Sequence, residues 1–115
     1  MAKQYDLEER TEKYAVAVIM LCKKLPKNTI NMELVSQVVR ASGSIGANYI
    51  EANESFSRKD FFHRVKICRK ESKETRYWLR LIVSANSDCE KEARLLIQEA
   101  TELMNIFGAI VRKGA

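Results

Sequence analysis

The sequence predicts an all-α protein, an up-down-up-down antiparallel four-helix bundle, and three observations carry that reading. Apolar and small residues recur at heptad-like spacing in four separate segments, as the buried faces of amphipathic helices do. Helix breakers are scarce, with one proline and four glycines in 115 residues. Strand signals are missing as well: there is no sustained alternation of period two and no Asn-Gly or Asp-Gly hairpin turn. The clearest segment runs from Ser57 to Ala85, where Phe61, Val65, Cys68, Ser72, Thr75, Leu79 and Ile82 follow at alternating spacings of four and three. A helix over that stretch is roughly 42 Å long. A chain of this size accommodates it only if other long helices lie alongside.

The chain reads as a single domain, residues 1–115, with helices over about 7–25, 31–53, 57–85 and 88–112. Asp6 is placed to cap the first helix, whose face is Leu7, Thr11, Tyr14, Val18, Leu21 and Leu25, and Pro26 stops it. The second carries Val35, Val38, Ser42, Ile45, Tyr49 and Ala52 on one face. Its middle is rich in small residues. Gly43 and Gly46 each cost about 1 kcal/mol relative to alanine inside a helix, which is tolerable where a neighbouring helix must approach closely. Ser57 is placed to cap the third helix, with Asp60 three residues on in a capping-box-like pattern. Ser87 or Asp88 caps the fourth, which shows a wide apolar stripe from Ala93 to Val111. The short connections make neighbouring helices antiparallel. Apolar residues left over on the third helix (Ile67, Trp78, Leu81, Tyr77, Phe62) predict a subunit interface there.

The charge is unevenly spread. The protein is +5 overall, and residues 58–80 hold nine of the 20 Lys and Arg against three of the 15 acids, so this window is +6 and the remainder −1. At about 100° per residue, all of the nine except Arg64 fall in a stripe about 120° wide. Like charges at i,i+4, such as Lys66 and Lys70, are unfavourable by about 0.2–0.5 kcal/mol each. Such a stripe calls for an anionic neighbour. Nucleic acid bound through phosphate without sequence preference is one candidate, through Lys59, Lys66, Arg69, Lys70, Lys73, Arg76 and Arg80. Acids of the first helix (Glu8, Glu9, Glu12) or the fourth (Glu92, Glu99, Glu102), within or between subunits, are the other.

Catalytic chemistry finds little support. A carboxylate-bridged metal site in a helical bundle needs Glu-x-x-His pairs, but His63 is the only histidine and follows no glutamate at that spacing. Glu71 and Glu74 are expected to pair with bases of neighbouring helices. There is no Gly-rich phosphate loop and no Cys-x-x-Cys. The reading is therefore no enzyme, no metal and no cofactor. Asn48 and Glu51, one turn apart, are expected to tie the second helix to Arg40 or to the third helix. Packing, in the bundle or at a subunit contact, is the favoured role for Trp78 and Tyr77 over stacking on bases. Cys22 and Cys68 fall on core faces and are expected to be reduced. The charged beginning of the chain predicts no signal peptide, and no apolar run is long enough to span a bilayer. These features together predict a cytoplasmic protein that does not engage membranes.

The run from Arg40 to Leu81 resembles a known family. Arg40-Ala41-Ser42, Ile45-Gly46-Ala47-Asn48, Glu51, Ser57-x-x-Asp60-Phe61, Lys70-Glu71, Glu74-Thr75 and Tyr77-Trp78-Leu79 are similar, in that order and spacing, to the bacterial four-helix bundle proteins encoded in 23S rRNA intervening sequences. That family in turn resembles the accessory protein of diversity-generating retroelements. The resemblance implies a homo-oligomeric bundle, a pentamer, associated with RNA or DNA, and it implies no catalytic residues. The alternative it leaves open is a protein-interaction scaffold or accessory subunit, for a reverse transcriptase for example, with no nucleic-acid binding of its own.

Overall fold

The computed structural model describes the backbone of residues 2–114 and the side chains of residues 7–114. Four helices, α1 (Ala2–Lys23), α2 (Thr29–Asn53), α3 (Arg58–Ala85) and α4 (Glu90–Gly114), form a bundle measuring 44 × 22 × 21 Å. Its long dimension is set by α3, the longest helix at 28 residues. Contacts between facing residues fix the directions. Glu8 and Thr11 of α1 meet Asn53 and Gly46 of α2, Ile45 and Asn48 of α2 meet Cys68 and Arg64 of α3, Arg69 and Arg76 of α3 lie beside Gly108 and Thr101 of α4, and Arg10 and Tyr14 of α1 meet Glu99 and Leu96 of α4. In each pair one number rises as the other falls, so every neighbouring pair of helices is antiparallel. The all-α up-down-up-down architecture expected from the periodicity is the one observed.

The ends follow from local chemistry, with three differences from the sequence reading. Helix α1 begins at Ala2, so Asp6 lies within it rather than capping it, and the Asp6 side chain is outside the described residues. The segment Ala2–Tyr5 contains no stop signal, and the helix continues through it. Helix α2 starts two residues early because Asn28 caps it, its side chain accepting from the Asn31 backbone N–H at 2.8 Å. Asn31 is buried. Its side-chain amide donates to the Pro26 carbonyl and exchanges two hydrogen bonds with Asn86, at 2.9 and 2.8 Å. That pair ties the α1–α2 loop to the α3–α4 turn at one end of the bundle. Helix α4 is led in by a single 3-10 turn, Ser87–Cys89, with no side-chain cap. Ser57 caps α3 as expected, accepting from the Asp60 N–H at 3.0 Å.

The core is built from the faces read in the sequence. All six named positions of α1 are buried, as is the α3 seam apart from half-buried Phe61. Polar members of these faces satisfy themselves along their own helices. Thr11, Ser72 and Thr75 donate to the carbonyls of Leu7, Cys68 and Glu71 at 2.7–2.8 Å, which removes the penalty of an unpartnered buried hydroxyl. Tyr49 packs at 5.8 Å on Phe107 of α4. Helix α1 is held chiefly by α2 and only lightly by α4. Its polar links to α4 among the described residues are a bidentate Arg10–Glu99 pair at 2.7 and 2.9 Å, Arg10–Glu102 at 3.0 Å, a Tyr14 hydroxyl donating to the Leu96 carbonyl at 2.8 Å, and Lys24–Glu92 at 2.9 Å.

The apolar surplus falls elsewhere than expected. On α3, Phe62, Ile67, Trp78 and Leu81 are half-buried by their neighbours, and only Tyr77 is well exposed. The larger exposed apolar area lies on α1 (Val16, Ile19, Met20) and α2 (Ile50). Ile50 also lines a groove of about 620 Å³ between the two helices, together with Gly43, Gly46 and Ala47 of α2 and Glu8, Glu9 and Glu12 of α1.

The two α2 glycines play different parts. A Cβ at Gly46 would lie 2.9 Å from Thr11 Oγ1 and 3.3 Å from Thr11 Cβ, whereas one at Gly43 would meet nothing within 4 Å. Thr11 cannot yield, because it is buried and hydrogen-bonded to Leu7. Gly46→Leu is therefore expected to destabilise by about 1–3 kcal/mol through overpacking, and Gly43→Ala to stabilise by up to about 1 kcal/mol through helix propensity. Chemical denaturation of both variants checks this, and a stabilised Gly46→Leu protein would refute the close approach.

Candidate nucleic-acid interface

The seam of α3 is buried, so its opposite face must point outward, and that face carries the basic stripe. Lys59, Lys66, Arg69, Lys70, Lys73 and Arg80 are exposed; Arg76 is half-buried and donates to the Thr101 hydroxyl of α4 at 3.2 Å. Arg58 lies over the Phe62 ring at 5.2 Å. Arg64, the base outside the stripe, turns toward α2 and donates to Asn48 Oδ1 at 3.0 Å.

Five of the six acids offered as intramolecular partners, all but Glu12, are engaged elsewhere. Among the described residues, the bases in ion pairs are Arg10, Lys13, Lys24 and Arg94, on α1 and α4. Glu99 and Glu102 bind Arg10, Glu92 binds Lys24, and Glu8 accepts from the Asn53 side chain. No base of α3 forms an ion pair among the described residues. On α4, Thr101, Gly108 and Arg112 lie beside the stripe. A Cβ at Gly108 would lie 3.4 Å from both Arg69 and Arg112, so these two guanidinium side chains converge over it. Arg112 thus extends the positive surface onto α4. The sequence places it only at a helix C-terminus, where bases are common, and offers no sign of this proximity.

The other residues singled out in the sequence lie apart from the stripe. Asn48 is held at both ends, donating to the Ser44 carbonyl at 2.8 Å and accepting from Arg64. Glu51 is exposed, and its carboxylate has no polar partner among the described residues. Trp78 is half-buried against the core, its ring 5.3 Å from that of Tyr77 in an edge-to-face arrangement. Gly46 faces α1. No group of three or more His, Cys, Asp or Glu among the described residues is placed to hold a metal ion, and no helix among them is long and apolar enough to cross a membrane. Burial pushes the Cys68 thiol up to about 12, and its Sγ contacts the Ile45 carbonyl at 3.4 Å. Burial, with Cys89 adding to it, pushes Cys22 up to about 11. Both are protonated at neutral pH and poor nucleophiles.

An all-α bundle with one basic, unpaired helix face is thus the class of protein that the coordinates define. The chain belongs to the 23S rRNA-intervening sequence protein family, whose model matches residues 3–109. It is similar in structure to a crystallised protein of unknown function from the S23 ribosomal protein family of Bacteroides thetaiotaomicron, with a TM-score of 0.81 and 28% identity over 90% of this chain and 96% of that one. No curated protein sequence matches it.

Glu71 differs from the pairing expected of it. It is 7% exposed, its Oε1 has no hydrogen-bond partner, and neither it nor Glu74 forms an ion pair. Burial pushes its carboxyl above the usual range and Glu74 adds to this, while Lys70 and Arg40 act against it. A carboxyl held above its unfolded value favours the folded state when protonated. That contribution is full at acid pH and is lost as pH rises through the folded-state value. Glu71→Gln is expected to raise the thermal midpoint near pH 7 by about 4 °C, corresponding to about 1 kcal/mol, and to change it little near pH 4. A variant no more stable than wild type at neutral pH would show that the carboxylate is well solvated or paired.

Proposed function

We propose that this protein is a non-catalytic, homo-oligomeric helical bundle that binds nucleic acid without sequence preference through the exposed face of α3. The observation that carries the reading is the allocation of charge. Of the acids of α1 and α4 that could neutralise the stripe, Glu92, Glu99 and Glu102 are bound to Lys24 and Arg10, Glu9 to Lys13 and Glu8 to Asn53, and neither these nor Glu12 pair with a base of α3 among the described residues, which supports a counter-charge for α3 from outside the chain. Lysine and arginine spread along one helix face suit a phosphate backbone, and contacts of that kind position a polymer without reading its bases. The family description refers to an intervening sequence of 23S rRNA, which makes RNA the first polymer to test.

Self-association rests on a second observation, the half-exposed Val16, Ile19 and Met20 of α1 and Ile50 of α2. Burial of these side chains between copies would leave the α3 face free and multiply it around a ring. The resemblance of the Arg40–Leu81 segment to pentameric proteins suggests five copies. The same apolar surface supports the second reading, in which another protein docks there and nucleic acid is not bound.

Filter binding with RNA at low salt distinguishes them. Charge reversal of Lys66, Lys70 and Lys73 together is expected to weaken binding strongly. Each lost phosphate contact should flatten the log–log salt dependence by about 0.7–0.9. The variant is expected to keep the assembly state and thermal midpoint of wild type. Wild-type protein that retains no RNA at low salt would refute the nucleic-acid reading and favour the scaffold. Light scattering is expected to give a mass near five times the 13.2 kDa of one chain, and Ile50→Glu to lower it. A wild-type mass of one chain would end the oligomer reading.

A further inference from the structure

The outward face of α3 is not uniformly basic, and where its aromatic side chains fall says which nucleic acid it suits. Lys59, Lys66, Lys70, Lys73 and Tyr77 succeed one another at spacings of seven, four, three and four, a single line along the helix surface. All five are exposed, and Tyr77 is 54% so. The Tyr77 ring meets Trp78 edge-to-face, with the rings inclined at 68°, and over half of the residue stays open to solvent. At the other end of the line, Phe56 stands in the α2–α3 loop, two residues before α3, and is fully exposed. A phenylalanine left wholly in water forgoes about 1.5–3 kcal/mol of burial. The two aromatics are separated along the α3 axis by about 30 Å, with the lysines between them.

We infer that the α3 face is a binding surface for single-stranded nucleic acid, with Tyr77 and Phe56 as stacking platforms at the two ends of a lysine track. This inference rests on the nucleic-acid reading proposed above. A duplex offers phosphates to the lysines, but its bases are stacked on one another and unavailable to the rings. A single strand offers both, and aromatic platforms along a positively charged track are how sequence-tolerant single-strand binding is built. The helix surface is convex, so the strand runs along it with its bases turned inward at the ends and its phosphates on the ammonium groups.

The lone tryptophan supplies an internal reporter, because a base stacked on Tyr77 lies beside the Trp78 ring. The experiment uses full-length protein with oligouridine of about 15 nucleotides, within the size range of single-strand sites, and a duplex RNA of the same length. Binding is followed by anisotropy of the labelled RNA and by Trp78 fluorescence. Wild type is expected to bind oligouridine at least about tenfold more tightly than the duplex, with a change in Trp78 emission. Tyr77→Ala and Phe56→Ala are each expected to weaken oligouridine binding by about 5- to 100-fold. Neither should alter duplex binding or the salt dependence, and Tyr77→Phe should restore affinity to near wild type. Equal affinity for single strand and duplex, or alanine variants that bind oligouridine as wild type does, would overturn the stacking inference while leaving phosphate binding in place. Loss of assembly in Tyr77→Ala would overturn it too, by making the ring an interface residue. Absence of binding to either RNA would overturn both this inference and the reading beneath it.

Discussion

The structure depends on burial of the α3 seam between α2 and α4. Val65, Cys68, Leu79 and Ile82 are fully buried. A side chain such as valine, leucine or isoleucine is worth about 1.5–3 kcal/mol when removed from water. Against this stand the like-charge neighbours on the opposite face, each costing about 0.2–0.5 kcal/mol. The seam outweighs the repulsion several times over, so the helix can be straight, continuous and basic at once. An isolated peptide of the same sequence would feel the repulsion without the seam. What makes α3 able to present a row of cations at fixed spacing is the hydrophobic contact on its other side.

That burial also explains how polar residues come to line the core. Thr11, Ser72 and Thr75 occupy heptad positions and return their hydroxyl protons to carbonyls of their own helices. At Thr11 the approach is close, since Gly46 of α2 has no room for a Cβ against it. On its other side α1 is held by ion pairs and by Tyr14 more than by apolar packing. This division consumes the acids of α4: Glu92, Glu99 and Glu102 face α1. The docking of α1 and the unpaired state of α3 are consequently two results of one arrangement of charge.

Helix α1 is also where the exposed apolar area begins. The sequence places the surplus on α3, because that helix carries more apolar residues than its heptad seam requires. Ile67, Trp78 and Leu81 sit instead at the margins of the contacts with neighbouring helices, where they are half-covered. Helix α1 is flanked less fully by its neighbours, and Val16, Ile19 and Met20 stay open to water. The exposed face of α1 is thereby apolar in part, and the face of α3 is cationic. The two surfaces do not compete for the same residues.

Periodicity by itself determined the four helices, their approximate bounds and their inward faces, since a heptad pattern has one solution when strand and turn signals are missing. It also determined that the basic residues share one face of one helix, because that is a property of spacing along a single element. The Ser57 cap was legible for the same reason: the hydrogen bond is local. Only the tertiary structure decided which charges neutralise one another, because Arg10 and Glu99 are 89 residues apart and no local pattern pairs them. It likewise decided that Asn31 links the two turns at one end of the bundle, and that Gly46 meets a neighbour while Gly43 does not. It left Glu71 buried with an oxygen unpartnered, and brought Arg112 beside Arg69. Each of these depends on how far one helix is rotated and slid against another, and that is set by the fit of side chains across the interface.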